Sequence, residues 1–299
     1  MLRIGISTIC LFAVLAISGT CGEAVLDTAK IDEITGLKGA LNQQEGVFKV
    51  SVPRTDVKVS VDQAAMPPFM GLTSWAAFKS DPKDGAMVMG DLVLFQDEVN
   101  PVLSTLLDNG VEVTALHNHF FFDEPKVYFM HIGGSGKVDA LAGGVRKALD
   151  KVKEIRAAKA TPATDFASKP LPAQSAITSA KIEETLGSKG MSKDGMFKAV
   201  IGRTVKMDCG CDAGKEMGIN TWAAFMGADD NALVDGDFVV TANQLQPVLK
   251  ALRQGGINIV AIHHHTTQET PRMIFLHYWG RGDAAELAKT VKSALDVAK

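Results

Sequence analysis

The apolar positions of residues 97–107 recur every three or four residues, which is the spacing of one helical face. They are Val99, Val102, Leu103 and Leu106. Asn109 and Gly110 follow directly and are typical of a helix end. This pattern predicts an amphipathic helix. Similar patterns predict short helices at residues 31–37 and 182–186, and closing helices at residues 138–152 and 283–298.

Between these helices, apolar and polar residues alternate in short runs that are typical of β-strands. The predicted strands include residues 47–52, 57–61, 92–95, 111–120 and 126–132, together with the segment around Trp75. A turn that contains Asp123, Glu124 and Pro125 joins the last two strands into an antiparallel hairpin. Because helices are mixed with an antiparallel hairpin, the predicted fold class is α+β.

The chain contains an internal duplication. Residues 90–131 align with residues 236–277 without a gap, and 14 of the 42 positions are identical. A Trp-Ala-Ala-Phe block upstream begins at Trp75 in one copy and at Trp222 in the other. Two copies of one unit exclude a solenoid, which needs at least three repeats. We therefore predict a tandem duplication of one α+β domain, each copy with a histidine-bearing antiparallel hairpin between helices.

The expected domains are repeat domain 1 at residues 25–156 and repeat domain 2 at residues 180–299, joined by a linker at residues 157–179. The linker is rich in Ala, Pro, Ser and Thr.

Residues 1–24 are typical of a signal peptide, because Arg3 precedes an apolar run too short to span a bilayer. Cleavage after Ala24 predicts a periplasmic or secreted protein, and cleavage before Cys21 predicts a lipid-anchored one. No transmembrane helix is expected after this segment.

Composition narrows the range of partners. The chain has 31 basic and 34 acidic residues and a formal net charge of -3, so it lacks the basic surface that nucleic acid requires. A small-molecule substrate or a metal ion is the expected partner.

Cys209 and Cys211 form a Cys-x-Cys pair. Such a pair can bind a soft metal or form a disulfide, but we expect two free thiols in a loop.

The seven histidines of the chain fall in two short stretches that share one spacing. Both copies follow His-x-His-x11-His, with His117, His119 and His131 in the first and His263, His265 and His277 in the second. Residues i and i+2 of a strand share a face, and a hairpin register that sets His131 opposite His117 brings all three together. Three convergent imidazoles are the ligand set of a catalytic zinc site. The sequence therefore predicts Zn²⁺, or another transition metal that prefers imidazole, in each copy.

Acidic residues near the histidines are candidates for supporting roles. Asp123 and Glu269 each lie four positions after the middle histidine and are predicted as catalytic proton shuttles. A fourth metal ligand and an ordinary turn carboxylate are the alternatives for both. Asp91 and Asp237 follow a glycine and either orient a ligand histidine or cap a turn.

Three functions fit these features. The preferred one is an exported metal-binding tandem-repeat protein with a three-histidine site in each copy. A zinc-dependent hydrolase of ester-like substrates is the first alternative, so enzymatic activity stays open. A non-catalytic structural or interaction module, in which the histidines bind nothing essential, is the second alternative.

Two resemblances bear on this choice. The blocks Met87–Leu94, Ala115–His119 and Met130–Gly134 resemble the LppY/LpqO family of bacterial exported proteins and lipoproteins over nearly all of the mature chain. That family implies no particular reaction. The His-x-His-x11-His spacing alone is similar to the zinc site of a human ester hydrolase, and this likeness implies that the six histidines are ligands.

Overall fold

The computed structural model describes residues 26–299. The predicted signal peptide, its cleavage site and Cys21 lie outside the described residues. The two copies fold alike, and each contains three helices and nine strands.

The first copy begins with a short helix and ends with a long one. Its elements are α1 (Thr28–Thr35), β1 (Ala40–Asn42), β2 (Val47–Pro53), β3 (Val59–Val61), β4 (Ala64–Met66), β5 (Thr73–Asp81), β6 (Gly85–Phe95), α2 (Gln96–Asp108), β7 (Glu112–His117), β8 (Asp123–Glu124), β9 (Val127–Gly136) and α3 (Val138–Ala158). A 3₁₀ turn, Pro68–Met70, precedes β5.

The second copy repeats this order. Its elements are α4 (Ser179–Leu186), β10 (Gly190–Lys193), β11 (Met196–Gly202), β12 (Val205–Met207), β13 (Asp212–Ala213), β14 (Asn220–Ala228), β15 (Asn231–Val240), α5 (Ala242–Gln254), β16 (Asn258–His263), β17 (Glu269–Thr270), β18 (Ile274–Gly282) and α6 (Ala284–Val297). A 3₁₀ turn, Lys215–Met217, precedes β14.

The two copies share one antiparallel sheet. Its twelve strands run in the order β1-β2-β5-β6-β9-β7-β16-β18-β15-β14-β11-β10. The copies meet at its centre, where β7 and β16 pair through Leu116 and Ile262. The α+β class and the duplication predicted from the sequence are confirmed, but the chain is organised around one large sheet that the periodicity did not predict.

One face of this sheet packs against all six helices. Alternate residues of β6 and β15, such as Val88, Leu92 and Val234, are fully buried there with Leu103 of α2 and Leu249 of α5. This core is continuous across both copies. Burial of apolar surface stabilises the arrangement by roughly 25 cal/mol for each Å² removed from water.

The opposite face is covered only in part. A three-stranded sheet, β4-β3-β8, lies over Val93, Phe95 and Phe129 in the first copy. Its counterpart, β13-β12-β17, lies over Val239 and Phe275 in the second. The rest of this surface, which we call the open face, carries Trp75 and Trp222; the side-chain nitrogens of Lys49 and Lys198 lie 4.2 and 4.0 Å from their ring centroids.

Residues 159–178 connect the copies and run along the second one. Ala176 pairs with Ala228 at the end of β14, and Phe166 packs edge-on against Trp279 with ring centroids 4.9 Å apart. Within residues 26–299 no helix has both the length and the apolar character that crossing a membrane requires.

Candidate functional site

A row of polar side chains crosses the sheet where the small sheets end and the open face begins. Asp91 of β6 lies opposite His131 of β9, and Asp237 of β15 lies opposite His277 of β18. On these strands the neighbouring positions toward the small sheets are apolar and buried, as Val239 illustrates. The row therefore marks a boundary between a closed and an exposed part of the same face.

Glycine precedes each aspartate of this row for a steric reason. A Cβ on Gly236 would lie 2.4 Å from the carbonyl oxygen of Trp222 and 2.3 Å from the ring of Tyr278. A Cβ on Gly90 would lie 2.6 Å from the carbonyl oxygen of Trp75. The backbones approach so closely that only glycine fits, and this fixes the position of the aspartate that follows.

In the first copy the histidines lie close together, but not in the predicted register. His117 lies opposite Phe129, and His131 lies opposite Ala115, because an irregularity between Val113 and Ala115 shifts the pairing. His117 and His131 still stack, with ring centroids 5.2 Å apart. His119 lies beyond the end of β7, and its Nε2 is 3.1 Å from Nε2 of His117.

In the second copy a carboxylate joins the histidines. Nε2 of His265 lies 3.1 Å from Oδ2 of Asp237, and Nδ1 of the same ring lies 3.2 Å from the carbonyl oxygen of Gly218. His263 and His277 stack with their centroids 4.7 Å apart. His264, between the two outward histidines, contacts the carbonyl oxygen of Met273 at 2.8 Å. The copies thus use the same residues differently, since His119 contacts a histidine and His265 contacts an aspartate.

The surroundings shift the ionisation of these groups. Burial, reinforced by His277 and His265, lowers the pKa of His263 to about 4, so this ring is neutral near pH 7. Burial also lowers the pKa of His117 and of His119. Burial raises the pKa of Asp237, against the opposing influence of His277 and His265.

Among residues 26–299 a single group of three histidine, cysteine or acidic side chains is close enough to share a metal ion. It consists of Asp237, His263 and His265, whose ligand atoms all lie within 4.8 Å of one another. His277 is next to this group but not part of it, and neither predicted three-histidine set meets this distance. The sequence predicts only an orienting or capping role for Asp237.

The predicted proton shuttles hold backbone groups. Oδ2 of Asp123 accepts a hydrogen bond of 2.7 Å from the N–H of Val127, and Oε1 of Glu269 accepts one of 3.0 Å from the N–H of Met273. Both side chains are buried. Burial raises the pKa of Glu269, but hydrogen bonds, chiefly from the N–H of Met273, and the charge of Arg272 together outweigh this effect and the pKa is lowered. In the structure both carboxylates therefore bind backbone N–H groups of their own turns, as ordinary turn residues do.

Two features near the site differ from the preferred predictions. Cys209 and Cys211 are joined by a disulfide, so the expectation of two loop thiols is wrong. The open face of the second copy also contains a groove of about 520 Å³, lined by Met191, Met196, Met226, Leu233 and Trp279. The sequence signal that could have indicated it is one methionine on each of three neighbouring strands: Met191 of β10, Met196 of β11 and Met226 of β14.

A family model matches the chain twice, at residues 29–151 and 180–297, and is described as a domain of unknown function, DUF1259. The chain belongs to this family. Its two matched segments coincide with the two structural copies. A search of curated proteins finds no match.

Solved structures with similarity to the chain are microcompartment shell proteins. A trimeric bacterial shell protein, PduB, is 13% identical, with 87% of this chain and 89% of that chain covered and a TM-score of 0.20. EtuB from Clostridium kluyveri is 9% identical, with 88% and 90% covered and a TM-score of 0.23. The double-ringed trimeric shell protein MSM0271 is 11% identical, with 72% and 82% covered and a TM-score of 0.18. At these TM-scores the likeness carries no argument for this chain.

These findings correct two predictions. The matching family is DUF1259 and not LppY/LpqO, and it replaces the likeness to a human zinc hydrolase as well. The predicted function, a metal-binding protein with a three-histidine site in each copy, is also wrong. The described residues contain no three-histidine set whose ligand atoms lie close enough to share a metal ion. The comparisons likewise support neither a zinc hydrolase nor a lipoprotein.

Proposed function

We propose that this protein is a non-catalytic structural module that associates with a second copy of itself through the open face. The observation that carries the proposal is the apolar groove of the second copy. Met191, Met196 and Met226 are 69%, 37% and 38% exposed there, although they lie side by side on one sheet surface. Contiguous apolar surface of this kind marks interaction sites in soluble proteins.

The charges at the groove favour a second copy as the occupant. Lys193 and Asp235 both line it, at the edge strand β10 and on β15 respectively. A two-fold contact brings the same patch of two chains together, so Lys193 of each chain meets Asp235 of the other. Lys198 is less available for such a contact, because it covers the ring of Trp222. The groove is therefore self-complementary in charge and apolar in the middle.

The two repeat domains of one chain already pair with each other, so the domain can associate with its own copy. Strands β7 and β16 join the two repeats edge to edge. At the far ends of the sheet, all residues of β1 and β10 are exposed, and no strand within residues 26–299 pairs with the outer edge of either one. Such edges are templates for pairing with another chain.

Sedimentation velocity of the full chain over a range of concentrations tests the proposal. We expect a dimer that dissociates on dilution, and we expect Met226→Lys to give a monomer. The matched control is Met217→Lys, which changes a methionine that is 71% exposed but lies outside the groove. A wild type that stays monomeric at every concentration would contradict the proposal. A monomer whose tryptophan fluorescence responds to a small apolar ligand would instead assign the groove to a small molecule.

A further inference from the structure

The contact between Asp237 and His265 pairs two hydrogen-bond acceptors when both side chains are in their ordinary forms. Nδ1 of His265 faces the carbonyl oxygen of Gly218 at 3.2 Å, and a carbonyl oxygen only accepts. Nδ1 therefore carries the proton of a neutral ring, and Nε2 has a lone pair. That lone pair lies 3.1 Å from Oδ2 of Asp237. A second proton on the ring removes the conflict, and so does a metal cation between the two atoms; only the cation can also reach His263, because the ligand atoms of all three residues lie within 4.8 Å of one another.

Two further polar atoms of the same group have no partner among the described residues. They are Oδ1 of Asp237 and Nδ1 of His263, both of which are buried. The side chain of Asp237 is only 3% exposed. Leaving such atoms without a partner costs free energy, because water has been removed from them and nothing has replaced it. A cation bound to the same carboxylate and imidazoles would offset this cost.

We infer that Asp237, His263 and His265 form a binding site for one divalent first-row transition metal ion per chain. Their ligand atoms lie within 4.8 Å of one another, so one ion can reach all three. Two imidazoles and one carboxylate are the ligand set of octahedral metals such as iron, manganese and cobalt, and they leave further coordination positions open. The site differs from the three-histidine arrangement expected from the sequence, because the carboxylate takes the place of His277.

Neighbouring groups orient the ligands in the manner of metal sites. The carbonyl oxygen of Gly218 fixes the ring of His265, as backbone carbonyls do for histidine ligands in general. The ring of His277 stacks on His263 with an interplanar angle of 13°, and its Nδ1 lies 3.4 Å from the carbonyl oxygen of Gly236. These contacts set the direction of both imidazoles without a metal ligand from His277.

In the first copy two of the histidines find hydrogen-bond partners in each other. Nε2 of His119 faces Nε2 of His117 at 3.1 Å, and one neutral imidazole can donate to the other. Asp91 influences both rings only through its charge. Oδ1 of Asp91 is buried without a partner among the described residues, as Oδ1 of Asp237 is, but in the first copy no carboxylate oxygen faces an imidazole lone pair for a cation to bridge.

Titration with Co²⁺ tests the inference on the full chain, expressed without a histidine tag and stripped with a chelator. We expect visible absorption that saturates at one equivalent. Asp237→Asn should weaken Co²⁺ binding by at least about tenfold, since even residues that only orient a ligand have effects of that size. Asp91→Asn is the matched control and should leave binding unchanged. His265→Ala, which removes a partly exposed side chain, provides a second variant if Asp237→Asn fails to fold, and circular dichroism monitors folding in each case.

Three results would overturn the inference. They are a wild type that takes up no Co²⁺, an Asp237→Asn variant that binds as the wild type does, and a bound ion that is lost in His119→Ala and not in His265→Ala. The titration is repeated on the monomeric Met226→Lys variant. Metal uptake there separates this site from self-association, so either proposal can fail while the other stands.

Discussion

Asn100 and Gln246 occupy equivalent positions of α2 and α5, and each binds the backbone of the other copy. Nδ2 of Asn100 donates to the carbonyl oxygen of Ile259 at 3.1 Å, and its Oδ1 accepts from the N–H of Ile259 at 2.8 Å. Gln246 makes the same pair of bonds with Val113, at 2.8 and 3.0 Å. Val113 and Ile259 lie where the strand pairing is irregular, so the two amides replace bonds that the sheet does not supply there.

Gln246→Ala should therefore destabilise the whole chain rather than one copy. Loss of the amide leaves the N–H and carbonyl of Val113 without partners, and we expect the free energy of unfolding to fall by about 1–3 kcal/mol. Urea denaturation followed by circular dichroism measures it. Gln254→Ala, at the exposed end of the same helix, is the control and should change stability little. Equal effects of the two substitutions would show that the inter-copy bonds contribute nothing.

The first copy contains a buried ion cluster that the second copy replaces with an amide. The guanidinium of Arg54 donates to both oxygens of Glu98, at 2.8 and 3.0 Å, and Glu98 is fully buried. In the second copy Arg203 instead donates to Oε1 of Gln244 at 2.8 Å. Glu98→Ala removes the buried carboxylate that Arg54 shares with Arg156 and leaves the two guanidiniums only Asp56 and Asp97, so it should cost about 3–5 kcal/mol of stability.

Glu98→Gln removes the negative charge but keeps an oxygen that accepts a hydrogen bond, so it distinguishes the two contributions of Glu98 to stability. Because Gln244 already accepts from an arginine in the second copy, we expect Glu98→Gln to cost clearly less than Glu98→Ala in the same denaturation experiment. A glutamine as costly as the alanine would show that the charge, and not the hydrogen bond, stabilises this pair.

The stability of the protein should fall in acid partly because of one carboxylate in the first helix of each copy, which is bound by a lysine and a backbone N–H. The N–H of Gly39 and the ammonium of Lys38 both bind Asp32 and lower its pKa; Glu183 is held in the same way by Lys189 and Gly190. A carboxyl group with a lowered pKa contributes stability above its ordinary pKa, and the contribution is lost as the pH falls through the lowered value. Asp32→Asn should therefore reduce Tm near neutral pH and reduce it less in acid. A Tm difference that does not change with pH would contradict this.

Gly236→Ala tests the close approach that positions Asp237. The added methyl group would meet the carbonyl oxygen of Trp222 and the ring of Tyr278, neither of which has room to move in the buried sheet. We expect the variant to lose about 1–3 kcal/mol. Gly143→Ala is the control, because nothing lies near its Cβ in α3, and it should gain about 0.5–1 kcal/mol from better helix propensity. Thermal unfolding compares the two.

Local patterns predicted the elements better than their assembly. The helix expected at residues 97–107 is α2, Gln96–Asp108, and the closing helix expected at residues 138–152 is α3, Val138–Ala158. These follow from apolar spacing within one segment. The pairing of β7 with β16 depends on two segments far apart in the chain, and no periodicity within either one encodes it.

The candidate site was limited in the same way. The spacing of the histidines placed three on one face, and the structure does bring His117, His119 and His131 close together. The spacing could not reveal the irregular pairing near Ala115, nor that Asp237 of a different strand reaches His265. The turn positions of Asp123 and Glu269 were visible in the sequence, but the backbone N–H groups that they bind were not.

The central claim is that the groove of one chain binds the groove of another, and a charge exchange between Lys193 and Asp235 tests it most directly. Both residues line the groove, and a two-fold contact sets each against the other across the interface. Sedimentation velocity should show that Lys193→Asp and Asp235→Lys each weaken self-association, since like charges then face each other. The double variant should regain the wild-type dimer. A double variant that associates no better than the single ones would contradict the claim.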